Sequence, residues 1–163
     1  MKNKIIFLDI DGVLNVHSSD RDQFGHIFHK PFVDNLDKII KQTGAKIVIS
    51  STWKMSGIFI MKKMWIERNL PGEVIDITPN VVDVVDNDPT CEYFDLVSRG
   101  DEIQQYINDN NIENYCIIDD VDDFLPIQKD RVVLTYNIDH SDSINGYGLT
   151  KICTDKIIEI LNK

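Results

Sequence analysis

Residues 5–15 read IIFLDIDGVLN. The first four are apolar with no polar alternation, the pattern of a strand buried on both faces. Asp9 and Asp11 follow at i and i+2 on an extended segment, so their side chains tend toward one side. Gly12 then lets the backbone turn sharply away. Four more short apolar runs, at 47–49, 74–77, 115–118 and 132–134, read as strands of the same buried kind. Amphipathic segments lie between them. Val33, Leu36, Ile39 and Ile40 share a helical face, as do Ile58, Met61, Met64 and Trp65, and then Ile103, Tyr106 and Ile107. A last helix carries Ile157, Ile158 and Leu161, with Thr150 as its N-cap. The alternation predicts an α/β, Rossmann-like fold, a parallel five-stranded sheet with helices on both faces. One domain over residues 1–163 accommodates it. Three stretches read as irregular: 17–30, 78–98 and 137–149.

The composition agrees. Of 163 residues, 42% are hydrophobic and 27% charged, which excludes a disordered, collagen-like or coiled-coil chain. No apolar run approaches the ~20 residues of a membrane helix, and the opening residues do not read as a signal peptide. Cys91, Cys116 and Cys153 are odd in number and widely spaced. They make neither a metal-ligand pair nor a disulfide framework, so they are expected to be reduced thiols in a cytoplasmic protein. The net charge of -10 is uneven: residues 1–68 carry 11 basic and 7 acidic side chains, while residues 69–128 carry one Arg and 15 acids. That speaks against a protein that coats nucleic acid, yet leaves room for a basic groove in the first 68 residues.

In such sheets ligands bind beyond the carboxyl ends of the strands. Asp9 and Asp11 follow the first apolar run, Ser50, Ser51 and Thr52 the second, and Asp119 and Asp120 the fourth. A lone aspartate at a strand end is ordinarily solvated or caps a helix. Two acid clusters on different strands repel each other unless a hard divalent cation relieves them, and magnesium, with oxygen ligands, suits that set.

These stretches resemble the haloacid dehalogenase (HAD) superfamily. IIFLDIDGVLN looks like its first motif, KIVISSTWK its second and YCIIDDVDDF its fourth, in the family's order. Within the superfamily, SSTWK, ITP at 77–79, RGDEI at 99–103 and GLT at 148–150 are similar to HAD domains of RNA-repair proteins. The resemblance implies a magnesium-dependent phosphatase with Asp9 as nucleophile. Asp11 would protonate the leaving oxygen and later deprotonate the hydrolytic water. The ion would be held by the Asp9 carboxylate, the Asp11 backbone carbonyl and an acid of the fourth motif, Asp120 in preference to Asp119. Ser50 Oγ and the backbone N–H of Ser51 would bind substrate phosphate, although a Ser-Ser-Thr run is also ordinary turn chemistry. Lys54 is expected near the same mouth, as a phosphate contact or as a surface lysine beginning a helix. Arg99 is the only basic residue between Arg68 and Lys129. Ser98 and Asp101 form a capping pattern around it. A cation in a helix's first turn opposes the helix dipole, so an incoming phosphate or a nearby acid must account for it. The family's third motif places a Lys or Arg here.

His17, His26, His29 and His140 make no convincing zinc site and read as loop residues, some facing substrate. Trp53 reads as a core or rim residue, or as a platform for a base. Neither 14–45 nor 78–98 has room for a sizeable cap domain. An open mouth would admit the phosphorylated end of a large molecule; alternatively a dimer partner supplies the lid. The preferred substrate is a terminal phosphate on a nucleic acid or nucleotide. A small-metabolite or protein phosphatase is the nearest alternative. A non-catalytic, receiver-like phosphate-binding domain is the alternative from another class, but receivers carry their acceptor aspartate on a middle strand.

Overall fold

The computed structural model describes residues 3–16, 20–81, 97–136 and 142–163. Five strands form one parallel sheet: β1 (Lys4–Leu8), β4 (Lys46–Ile49), β5 (Val74–Ile77), β6 (Asn114–Asp119) and β7 (Val132–Leu134), in the spatial order β5-β4-β1-β6-β7. A two-stranded hairpin, β2 (Arg21–Asp22) with β3 (Gly25–His26), stands apart from it. The helices are α1 (Lys30–Thr43), α2 (Ile58–Glu67), α3 (Arg99–Asn110) and α4 (Lys151–Leu161). Short 3-10 turns occupy Thr52–Ser56 and Pro126–Arg131.

Side-chain alternation along β1 divides the core. Ile6 and Leu8 face a cluster with Phe32, Leu36 and Ile39 of α1, Met61, Met64 and Trp65 of α2, and Ile157 and Leu161 of α4. Ile5 and Phe7 face Ile103, Tyr106 and Ile107 of α3. The sheet is therefore covered on both sides, which is why its strands read as continuous apolar runs. Both predicted caps are in place. Thr150 Oγ1 accepts from the Cys153 N–H at 3.4 Å, and Ser98 and Asp101 form a reciprocal capping box at the start of α3.

Strand order reverses direction of growth at β1. The chain runs β1 to β4 to β5 on one side, then crosses to β6 and β7 on the other. The crevice beyond the carboxyl ends of β1 and β6 is the switch point where such sheets bind ligands. Backbone bonds carry the register past the strand ends. Asp9 N–H donates to Ile118 O at 2.9 Å, Ser50 N–H to Leu8 O at 3.0 Å and Thr135 N–H to Asp119 O at 2.8 Å.

The stretch 14–45 supplies the hairpin and one helix, and no sizeable cap domain appears among the described residues. Most of 78–98 and part of 137–149, with Cys91, His17 and His140, lie outside the described residues. Cys116 and Cys153 are buried. No helix among the described residues is long and apolar enough to cross a membrane.

Candidate active site

The end of β1 delivers Asp9 into the crevice, where its side chain is only 6% exposed. The chain then winds around a single carbonyl: the N–H groups of Val13, Leu14 and Asn15 all point to Ile10 O, at 2.9 to 3.2 Å. Gly12 sits in this loop at φ +75, and a Cβ there would lie 2.4 Å from the Asp120 carboxyl carbon. Glycine is required twice over, for the left-handed backbone and for the close approach of Asp120. Thr135 Oγ1 donates to Gly12 O at 2.9 Å and ties the loop to the far edge of the sheet.

Asp9, Asp119 and Asp120 each bring a carboxylate oxygen within 4.8 Å of the others. Arg99, the first residue of α3, reaches the same acids. Its Nη1 lies 3.2 Å from Asp9 Oδ1 and donates to Asp119 Oδ2 at 2.5 Å. The first turn of α3 is set by its neighbours: Asp123 Oδ2 accepts the Arg99 N–H at 3.0 Å, and Gly100 leaves room for the Phe124–Leu125 backbone, which a Cβ would meet at 2.8 Å. Burial, and then Asp9, push the Asp119 carboxyl up to about 7 against the pull of Arg99. Burial and Asp9 also raise Asp120. Burial opposes the charge on Arg99, but Asp9 and Asp119 outweigh it and hold the guanidinium above its ordinary pKa. One cation thus faces three carboxylates.

The two acids at the end of β6 differ in what they touch. Asp119 accepts from Arg99 through Oδ2 and from the Val121 N–H through Oδ1 at 2.9 Å. Asp120 is half-buried and lines the cavity. That cavity holds about 460 Å³ and is bordered by Asp9, Asp11, Asn15, Arg99 and Asp120, with His26, Thr52 and Tyr147 around it. The set of hard oxygen donors with excess negative charge fits a divalent cation of the magnesium kind. Ser50, just past the end of β4, is not among the residues lining the cavity, and its Oγ is buried with no hydrogen-bond partner among the described residues. An orphaned hydroxyl is costly unless a ligand completes it.

Asp11 is exposed at the cavity's edge, and both its oxygens accept bonds. Asn15 Nδ2 donates to Oδ1 at 2.8 Å and the Trp53 indole Nε1 to Oδ2 at 2.9 Å. The sequence did not point to Asn15, nor to the indole as a partner of Asp11; residues 4 and 42 positions apart meet only through the fold.

Other expected residues take different places. Ser51 Oγ accepts the Trp53 N–H at 3.4 Å and caps the 3-10 turn. Lys54 is not a surface lysine. It is 7% exposed, and its ammonium donates to Thr78 Oγ1 at 3.1 Å, Pro79 O at 3.0 Å and Glu102 Oε2 at 2.5 Å. An ammonium has three donors, so a phosphate contact would require one of these bonds to be given up. Burial lowers the Lys54 pKa, with Glu102 opposing. Nor do the basic residues of 1–68 gather at the cavity: Lys30, Lys38, Lys41, Lys46 and Arg68, for example, pair with acids elsewhere. Among the described residues lining the cavity, Arg99 is the sole Lys or Arg. His26 lines it too, while the His29 ring bonds Val16 O at 3.1 Å.

Tyr147 reaches the cavity from a tight turn. Ile144 and Tyr147 exchange backbone bonds at 2.9 and 3.0 Å across Asn145 and Gly146, both at positive φ. Its ring packs against Tyr136, centroids 4.6 Å apart.

The family described as "HAD domain in Swiss Army Knife RNA repair proteins" matches residues 5–138. That span contains Asp9, Asp11, Ser50, Arg99, Asp119 and Asp120. No curated protein matches the chain.

Proposed function

The chain belongs to the family of HAD domains found in Swiss Army Knife RNA repair proteins, and from this premise we propose that it is a magnesium-dependent phosphatase. Its substrate is a terminal phosphate on a nucleic acid or nucleotide. The observation that carries the reading is the placement of Asp9: a buried carboxylate, 3.2 Å from Arg99, on the wall of a cavity that also presents Asp11 and Asp120.

Asp9 Oδ attacks phosphorus. The bond from phosphorus to the leaving oxygen breaks, and that oxygen takes the proton carried by Asp11. Asp11 then removes a proton from a water that attacks the aspartyl-phosphate, breaking the bond from phosphorus to Asp9 and restoring both carboxyl groups to their starting states. Arg99 holds Asp9 oriented and offers remaining donors to the phosphoryl oxygens. Ser50 Oγ, without a partner among the described residues, donates to one of them, and the Ser51 backbone N–H is the second phosphate donor of that strand end. Asp9, the Asp11 carbonyl and Asp120 would hold magnesium, Asp120 being the acid after β6 that lines the cavity. The ion supplies charge neutralisation at the transferring group. Lys54 supports the site from below, joining the 3-10 turn to α3 through Glu102.

Two observations favour a nucleic-acid end over a sugar phosphate. The family is described by RNA repair, and Tyr147, backed by Tyr136, gives the cavity an aromatic wall on which a base can stack. With one Arg at the cavity, only the terminal phosphate and few neighbours are held, so affinity should fall only shallowly with salt. The test is phosphate release from a short phosphorylated oligonucleotide, a mononucleotide and a sugar phosphate, with and without magnesium. Faster magnesium-dependent release from the first two is expected. A clear preference for the sugar phosphate would sink the nucleic-acid reading and leave the phosphatase reading standing.

A further inference from the structure

We propose that Trp53 is a positioning residue for Asp11, and that the β2–β3 hairpin fixes Trp53 for that task. The catalytic consequence rests on the phosphatase reading above; the contact itself does not.

Asp11 is an exposed carboxylate on a loop, and the proton it handles has to face the leaving oxygen. The indole Nε1 of Trp53 donates to Asp11 Oδ2 at 2.9 Å while Asn15 Nδ2 donates to Oδ1 at 2.8 Å. Two donors from different directions hold the carboxylate plane. Each carboxylate oxygen retains a second lone pair for the proton.

Burial alone does not demand this bond. The chain has two tryptophans. Trp65 is 4% exposed, so its N–H must find an internal acceptor, and it donates to Pro71 O at 3.0 Å. Trp53 is only half-buried, and water could satisfy its N–H. It is instead aimed at the acid.

The ring is held by the hairpin. A Cβ on Gly25 of β3 would lie 3.1 Å from Trp53 Cη2. The Phe28 ring packs 5.7 Å away, tilted 57°, and the Arg68 guanidinium stands 5.7 Å from the indole centroid. Arg68 is itself clamped to the hairpin, donating to Asp22 at 2.9 and 2.7 Å and to Gly25 O at 3.2 Å. Hairpin, Arg68 and indole therefore form one packed unit whose polar tip meets Asp11.

Two measurements test this. In a ¹H–¹⁵N spectrum the protein gives two indole N–H signals. Asp11→Ala should shift the Trp53 signal and speed its exchange with solvent several-fold, leaving Trp65 as an internal control. An unmoved Trp53 signal overturns the contact. Kinetically, Trp53→Phe keeps a ring and removes the donor. The rate on an alkyl phosphate, whose leaving oxygen needs a proton, should fall at least ten-fold more than the rate on an activated aryl phosphate, a fraction of the ~10²–10⁴ that a general acid supplies. Equal losses on both esters, or no loss, overturn the positioning role. Gly25→Ala, pressing on the indole from the hairpin, should reproduce the selective loss on the alkyl ester; an unchanged ratio removes the hairpin from the proposal. If the wild-type protein releases no phosphate from any ester, the phosphatase reading fails and takes the catalytic role with it, while the spectrum still decides the contact.

Discussion

Asp9 and Asn have nearly the same shape, so Asp9→Asn leaves the core of Ile6, Leu8 and Ile118 undisturbed while removing the attacking carboxylate. Its phosphate-release rate should fall by about three orders of magnitude or more while the fold is retained. A mutant retaining over a tenth of wild-type rate would falsify the nucleophile assignment. The acids after β6 separate by a second comparison. Asp120→Ala should raise the magnesium needed for half-maximal rate far more than Asp122→Ala, because Asp122 only pairs with Lys129 at the surface; the reverse order would shift the metal ligand two residues along. At this scale the sequence was most legible where a cavity residue sits at the end of a strand or the start of a helix, as at Asp9, Asp11 and Arg99. It was least legible where a partner arrives from far along the chain. Nothing in the wording of 52–56 says that Trp53 faces Asp11 or that Lys54 lies buried on Glu102, because both follow from how the 3-10 turn after β4 seats against other elements.

Among the elements, α3 brings its first residue, Arg99, to the cavity. Ser98→Ala removes the side chain that accepts the Asp101 N–H and should lower stability by about 1 kcal/mol in chemical denaturation. It should also reduce activity more than that loss explains, by loosening the turn that points Arg99 at Asp9. Activity equal to wild type in a measurably destabilised mutant would separate the cap from the site. The five strands and four helices were readable because buried strands and amphipathic helices have different periods. The hairpin β2–β3 was not, being two residues per strand, too short for any alternation to register. Its stability comes from Arg68 and Trp53 across the fold, which no local pattern records.

For the whole molecule, the acid cluster links stability to pH. Asp119 in the folded chain holds its proton up to about 7, against an ordinary value of 3.8. Between those values this group binds more protons in the folded state than in the unfolded one, so the contribution of Asp119 to stability is greatest at the acid end of that window and declines as pH rises toward 7. Melting temperatures in chelator should show this decline, and Asp119→Asn should flatten it. A slope as steep in the mutant as in the wild type would place its origin elsewhere. Added magnesium should raise the melting temperature near neutral pH by binding the folded state alone.

The imbalance of three carboxylates around one guanidinium also sets an itinerary. A doubly charged phosphate ester approaching Asp9 before any cation has arrived meets a wall of its own sign, while a cation meets no such barrier. Arrival should therefore follow a compulsory sequence, metal ahead of anion. Calorimetric titration of inorganic phosphate into the chelated protein should give no heat of binding, and the same titration with magnesium present should give a saturable one. Equal binding in both would mean that Arg99 and Ser50 alone can outweigh the acids, and that either visitor can enter first.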